Sequence, residues 1–346
     1  MERIKKHLID NMPLSRKEFL LLAAGGLLNS SWTKKEDVIM SINGPIKANQ
    51  LGKALIHEHF LVDFIGADKI NYNRWNRQDA VKKILPHLQE VKEYGVKTIF
   101  DCTPAYLGRD VELLKMLADK SGLQIVTNTG YYGAVDNKYL PQHAFIESAE
   151  QIAERWIKEF EIGIEGSMVR PGFIKISVNP GPLSDLHKKL VKAAAITHLA
   201  TGLTICSHTG PAFPAMEEIA LLQENGVHPS AFVWVHAQVE KDKSFHQKAA
   251  AMKSWISLDG IGWGDYENYA DSLKKLKEAG LLNKVLISHD AGWYKPEEPG
   301  AAFTGYTNIF TKLLPLFKEN DLNADDLKQL LEKNPCKAFA VSVRKI

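Results

Sequence analysis

The chain has 346 residues, 45% of them hydrophobic, with a formal net charge of +2. That apolar fraction excludes wholesale disorder, and a near-neutral charge without a Lys/Arg cluster among aromatics argues against nucleic acid or anionic lipid as partner. The length allows one large domain whose core needs no disulfide, and Cys102, Cys206 and Cys336 are too few and too scattered for a disulfide framework or a zinc ribbon.

Residues 1–35 read as a leader. Arg3, Lys5 and Lys6 give a basic start, and 20–28 is an apolar stretch too short to span a bilayer but suited to a signal-peptide core. The string SRKEFL is similar to a twin-arginine export signal with Lys17 in the second arginine position. Neither an A-x-A cleavage site nor a lipobox cysteine follows. The expectation is export to the periplasm without stable membrane insertion. The alternative is an amphipathic N-terminal helix on a cytoplasmic protein.

From residue 36 to 346 the pattern is that of one domain. Residues 38–46 predict a strand pair turning at Asn43-Gly44-Pro45. Eight short apolar runs follow, centred on 54–56, 98–100, 125–126, 173–176, 203–205, 232–235, 255–258 and 285–287. Continuous runs of this kind suit parallel strands covered on both faces. Helical periodicity fills the intervals. Val81, Ile84, Leu85, Leu88 and Val91 share one face that stops at Gly95, with Pro86 acceptable only in a first turn or at a kink. Asp110 is placed to cap 111–117, and Asp185 to cap a helix running to 199. A helix over 273–279 ends at Gly280, and 327–331 lies in a last amphipathic segment. The alternation, at about thirty residues per unit, predicts an α/β fold: a single (β/α)8 TIM barrel with a short N-terminal β-hairpin. The loop 292–306, rich in Gly, Pro and aromatics, follows the eighth strand and is expected to shape a pocket.

Six potential metal ligands close these apolar runs: His57 and His59, Lys175, His208, His236 and Asp290. In such a barrel the strand ends converge on one face, so ligands far apart in sequence meet there. His57 and His59 are two apart on a strand and share a face, which makes half a site for zinc or a similar ion. Alone the H-x-H pattern is weak among twelve histidines, and its place at the first strand end strengthens it. A lone His such as His208 or His236 is more often a satisfied core residue, but two at consecutive strand ends change that reading. Burial of a lysine disfavours its cation, and a neutral amine can add carbon dioxide to become an anionic carbamate ligand. Asp290 can ligate and also accept the proton of an attacking water. His289 would point the other way along a regular strand. His143, His187, His198, His228 and His246 fall in helices or connections and read as structural or solvent-facing.

The strings INGPI…LGKALIHEHF, GVKTIFDCTPAYLGRDVELL, TNTGYY, RPGFIKIS, ATGLTICSHTG, ISLDG and VLISHDAGW resemble the phosphotriesterase family of the amidohydrolase superfamily. The resemblance runs from about Val38 to the C-terminus. It implies a (β/α)8 barrel with two divalent metal ions, usually zinc, bridged by a carboxylated lysine and a hydroxide. His57, His59 and Asp290 would hold the buried ion, His208 and His236 the more exposed one, and Lys175 would be the bridge. Two departures stand out. Many members carry an acid where this chain has Val239, with Glu240 adjacent and able to substitute. Many carry His or Arg where it has Gly260. Tyr132 matches a pocket aromatic that is often Tyr in the lactonase branch. The resemblance thus implies a hydrolase of a small lactone or carboxyl ester, with Asp290 and Lys175 as catalytic residues and Tyr132, Trp263, Trp293 and Phe303 around the substrate. Trp263 and Phe303 read equally well as loop packing. The alternatives are a phosphotriester hydrolase with the same metals and a non-catalytic metal-bearing binding protein. Many barrel enzymes dimerise, which leaves a homodimer as a further expectation.

Overall fold

The protein is described here by a computed structural model covering residues 37–346; the leader expected over 1–35 lies outside the described residues. Strands β1 (Val38–Ser41) and β2 (Gly44–Lys47) form the expected antiparallel hairpin. Its turn is held by the Ser41 hydroxyl donating to the Gly44 carbonyl at 2.7 Å. Then come β3 (Lys53–Leu61), α1 (Arg77–Glu93), β4 (Val96–Asp101), α2 (Val111–Ser121), β5 (Gln124–Val126) and β6 (Asn128–Thr129). Next are α3 (Gln142–Ile146), α4 (Ala149–Glu161), β7 (Phe173–Ser177), α5 (Asp185–Thr201), β8 (Thr204–His208) and α6 (Ala212–Glu224). The second half continues with β9 (Phe232–Val235), α7 (Ser244–Ala251), β10 (Trp255–Leu258), α8 (Tyr266–Glu278), β11 (Val285–Ile287) and β12 (Gly292–Tyr294). Helical segments α9 (Ala324–Lys328) and α10 (Asn334–Phe339) end the chain's regular structure.

Parallel pairing runs β12-β3-β4-β5 in one sheet and β6-β7-β8-β9-β10-β11 in the other. The two are one barrel. The third strand is broken only at Thr127, between β5 and β6, and the eighth is broken between β11 and β12. The seam from eighth to first strand is closed by the Asp290 N–H donating to the His57 carbonyl at 3.0 Å and the His59 N–H donating to the Ala291 carbonyl at 2.8 Å. Among the described residues no helix is long and apolar enough to cross a membrane.

Two apolar layers follow from strand alternation. Ala54, Ile56, Phe100, Val126, Phe173, Cys206, Val233, Trp255 and Leu286 fill the barrel interior, plugged below by Phe339. Leu55, Ile99, Ile125, Ile174, Ile205, Trp234, Ile256 and Ile287 pack outward on the helices. Asp110 caps α2 as expected, accepting from the Glu112 and Leu113 N–H groups. The cap of α5 is Ser184, whose hydroxyl accepts from the His187 N–H; Asp185, expected there, sits one residue inside, where its charge favours the helix N-terminus. Helix α1 runs through Pro86 at an interior position, beyond the first turn. Pro86 is exposed, so water can satisfy the carbonyl it leaves unbonded.

Candidate metal centre

Alternation carries two ligands inward directly. Phe173 lies in the interior layer and Ile174 and Ile176 pack outward, so Lys175 points into the barrel. His208 follows Cys206 in the same way. The others need a departure from regular strand geometry. Leu55 pairs with Ile99 and Glu58 with Asp101, so β3 carries one extra residue against β4. This bulge reverses the alternation. Leu55 faces the helices, yet His57 and His59 face inward. His236 has the parity of outward-facing Trp234, and a left-handed φ of 61° at His236 turns it back. Asp290 is also left-handed, at φ 50°. Such a conformation costs a non-glycine residue about 1–2 kcal/mol and persists only where the surroundings hold it.

The six expected side chains do converge. Together with Val62, Phe64, Leu107, Tyr132 and Trp293 they line one cavity of about 50 Å³. Asp290 Oδ1 lies 3.2 Å from His59 Nε2 and 3.6 Å from His57 Nε2, and Asp290 Oδ2 lies 3.9 Å from His236 Nε2. Lys175 Nζ is 3.3 Å from His57 Nε2. The rings of His208 and His236 meet edge to face at 4.4 Å. Gly130 (φ 115°) makes room beside the lysine, since a Cβ there would fall 2.1 Å from the Lys175 carbonyl oxygen.

A layer behind these groups orients them. Asp259 takes His57 Nδ1 at 3.0 Å on one oxygen and His236 Nδ1 at 2.8 Å on the other. His59 Nδ1 is bonded to the Thr103 hydroxyl at 2.7 Å. With the Nδ1 atoms engaged, Nε2 of each ring is left for an ion, the arrangement expected of metal-bound histidine. Ligand atoms of His57, His59 and Asp290 lie within 4.8 Å of one another, and so do those of His57, His236 and Asp259. The second set is held together by hydrogen bonds through Nδ1, so Asp259 orients the two rings and does not compete for the ion.

Electrostatics agree with a metal-ready site. Burial, with the Lys175 charge, lowers His57 to about 4. Burial and the neighbouring His236 hold His208 well below its usual range. Both rings are therefore neutral near pH 7 and offer a lone pair. Burial alone would raise Asp290, but its interaction with the His57 ring and the hydrogen bond to His59 outweigh it and hold the carboxyl below its usual range. For His236, burial is outweighed by the charge of Asp259, so its proton is held more firmly than usual. Lys175 is 1% exposed and forms no ion pair among the described residues. Four imidazoles, a carboxylate and a buried amine form a nitrogen and oxygen donor set that fits a divalent transition ion.

Of the residues expected around a substrate, two line the cavity. The Tyr132 hydroxyl lies 3.2 Å from both ring nitrogens of His208, and its burial and the Asp290 charge keep it a phenol. Trp293 stands edge-on to His59 at 5.5 Å. Trp263 is 68% exposed and touches the site only through the edge of Trp293 at 5.4 Å. Phe303 is not at the cavity: it stacks on His87 at 4.6 Å and packs against Tyr306. Sequence reading missed Asp259 and Glu58. Asp259 was detectable as an acid at the end of an apolar strand with Trp255 parity. Glu58 faces away from the ligands on either side of it, and its carboxylate accepts from the Ser288 hydroxyl, from His289 N–H and Nδ1–H, and from the Ala291 N–H.

Residues 38–339 match the Phosphotriesterase family. The chain belongs to that family. It is 27% identical to a phosphotriesterase homology protein of Escherichia coli over 83% of this chain and 98% of that one. It is 29% identical to an aryldialkylphosphatase of Saccharolobus solfataricus, over 85% and 97%. A phospho-furanose lactonase of Mycoplasmopsis synoviae is 25% identical, over 87% and 91%. As a phosphotriesterase-family protein the chain is an ester-hydrolysing enzyme. The structure accounts for its two departures. A Cβ on Gly260 would fall 2.6 Å from Gln238 Nε2 and 2.7 Å from the Tyr269 hydroxyl, so those side chains occupy the space. Glu240 does not stand in for Val239 at the site. It points to the start of α6, accepting from the Ala212 N–H at 2.9 Å, and Val239 itself is exposed.

Proposed function

We propose that the protein hydrolyses a lactone or carboxyl ester at a centre of two divalent ions, zinc being the ion its donors suit best. The observation that carries this reading is the meeting of His57, His59, Lys175, His208, His236 and Asp290 in one cavity, with the phenol of Tyr132 beside His208. His57, His59 and Asp290 would hold one ion and His208 and His236 the other. Lys175 would bridge them as a carbamate, its nitrogen bonding to the carbon of carbon dioxide and releasing a proton to solvent. Bound there, the ions would acidify water and polarise the electrophile. Asp290, whose side chain is 12% exposed, is placed to take the proton of the attacking water. Tyr132 can donate a hydrogen bond to an oxygen of the substrate. Val62, Phe64, Leu107 and Trp293 give an apolar wall that limits water and strengthens charge interactions inside.

Similarity to the Mycoplasmopsis phospho-furanose lactonase favours carbonyl chemistry, and similarity to the Saccharolobus aryldialkylphosphatase supports a second reading, phosphotriester hydrolysis. A panel of γ- and δ-lactones, an aryl ester and an aryl phosphotriester separates the two. Lactone or ester turnover lost on chelation and restored by added zinc is the expected result, and turnover of the phosphotriester alone would transfer the assignment to the second reading. Asp290→Asn and Lys175→Ala should lower kcat/KM by about 10²–10⁴-fold with the circular dichroism spectrum unchanged. Full activity in either variant would refute the mechanism.

A further inference from the structure

The opposite end of the barrel carries a second cavity of about 270 Å³, lined by Ser230, Trp255, Asn283, Lys284, Lys337 and Arg344. Ser230, Trp255 and Lys284 stand at the N-terminal ends of β9, β10 and β11. The metal centre is at the C-terminal ends, so the two sites are separate. Arg344 is fixed in place by neutral acceptors. It donates to the Thr204 hydroxyl and the carbonyls of Ser230, Ala338 and Ala340 at 2.8–3.1 Å. Lys284 lies over the Trp255 ring at 4.4 Å from its centroid, and that ring is held by its N–H donating to the Ser230 carbonyl.

The charges acting on Lys284 are those of Lys253, Arg344 and Lys337, all of one sign. Among the described residues no carboxylate acts on Arg344 either. The chain has 41 acidic residues, enough to have placed one here. Three cations around a concave surface repel one another and focus a positive potential, and Lys284 and Arg344 are partly desolvated as well. A compact anion would relieve this repulsion. The guanidinium supplies a fixed charge, its four terminal N–H groups being engaged by the protein, while the two lysine amines are free to adjust and Asn283 adds a neutral donor. Arginine and lysine in combination suit an oxyanion with several acceptor oxygens. We propose that this cavity binds a phosphate group, either as a small free phosphate species or as a lipid headgroup.

The test uses the metal-loaded protein and its Lys284→Gln/Lys337→Gln double variant. Melting temperature is followed against sodium phosphate, with sodium chloride at matched ionic strength as control. Phosphate should raise the wild-type melting temperature further than that of the double variant, corresponding to binding at least about tenfold weaker in the variant. Ester hydrolysis, and its inhibition by phosphate at the metal centre, should be equal in both proteins. Equal melting shifts in the two proteins would overturn the proposal. Co-sedimentation with phosphatidylcholine vesicles, with and without phosphatidic acid, distinguishes the sources. Sedimentation of wild type alone with the acidic vesicles assigns a headgroup. A phosphate-specific melting shift without sedimentation assigns a soluble phosphate.

Discussion

Glu58 is flanked by two metal-ligand candidates and contributes to the site by facing away from them. Its four hydrogen bonds go to residues 288, 289 and 291, which surround Asp290. His289 accepts from the Ile309 N–H at Nε2, so its proton is on Nδ1 and directed at Glu58. This clamp holds Asp290 in its left-handed conformation. A carboxamide would turn an N–H group toward one of these donors. Glu58→Gln should therefore weaken ion binding about 10–100-fold, in the range known for groups that orient metal ligands. A chelator-competition titration measures this directly, and unchanged affinity in a folded variant would mean that the clamp is irrelevant. The six side chains that meet in the cavity were legible in the sequence because each ends an apolar run. The reasons they face inward were not legible. The extra residue in β3 and the left-handed turn at His236 are pairing and backbone features, invisible to a count of alternating side chains. For Phe303 the sequence left pocket and loop packing equally open, since loop composition does not specify which ring meets the cavity and which stacks on His87.

Helix α6 bears on strand β8 through one buried acid. Glu218 accepts hydrogen bonds from the hydroxyls of Ser207 and Thr209, the residues on either side of His208. Burial raises it from 4.5 to about 8, with the two hydroxyl bonds opposing. A carboxyl raised on folding binds its proton more tightly in the folded state. The associated stability is fully present below about pH 4.5, declines as pH rises, and is lost once pH passes about 8. The decline is at most about 1.4 kcal/mol per pH unit. Glu218→Gln cannot ionise and should remove this slope. Urea midpoints at pH 5 and pH 8 test it: the variant should gain on wild type at the higher pH. Parallel curves would show that Glu218 is ionised in the folded protein. The elements themselves were readable from periodicity, and the start of α5 was displaced by one residue because Ser184 and Asp185 both suit a cap. The breaks in the third and eighth strands were hidden, because a run of apolar residues does not disclose where pairing lapses.

At the scale of the whole barrel, side chains from strands one, four, five, six and eight share one cavity. Ions held there would bind the folded chain and not the unfolded one, which would make loading a contribution to stability. Chelation should lower the melting temperature, and ions at a hundred times their dissociation constant should restore about 2.7 kcal/mol. Calorimetry with and without chelator checks this, and identical transitions would mean that no ion binds. The fold class was the most legible feature of all, since eight alternations of strand and helix leave few other architectures.

The break in the eighth strand has a consequence for the order of events in the life of the chain. Glu58 and Ser288 are 230 positions apart, and the bond between them fixes the loop that presents Asp290. A growing polypeptide holds the first two histidines long before it has the aspartate they need. With these residues as its ligands, ion capture would await the last stave of the barrel, and opening the ring at that seam would dismantle the ion's cage in the same motion. The site therefore works as a buckle: it cannot be fastened on an incomplete chain, and it cannot stay fastened once the first and last strands separate.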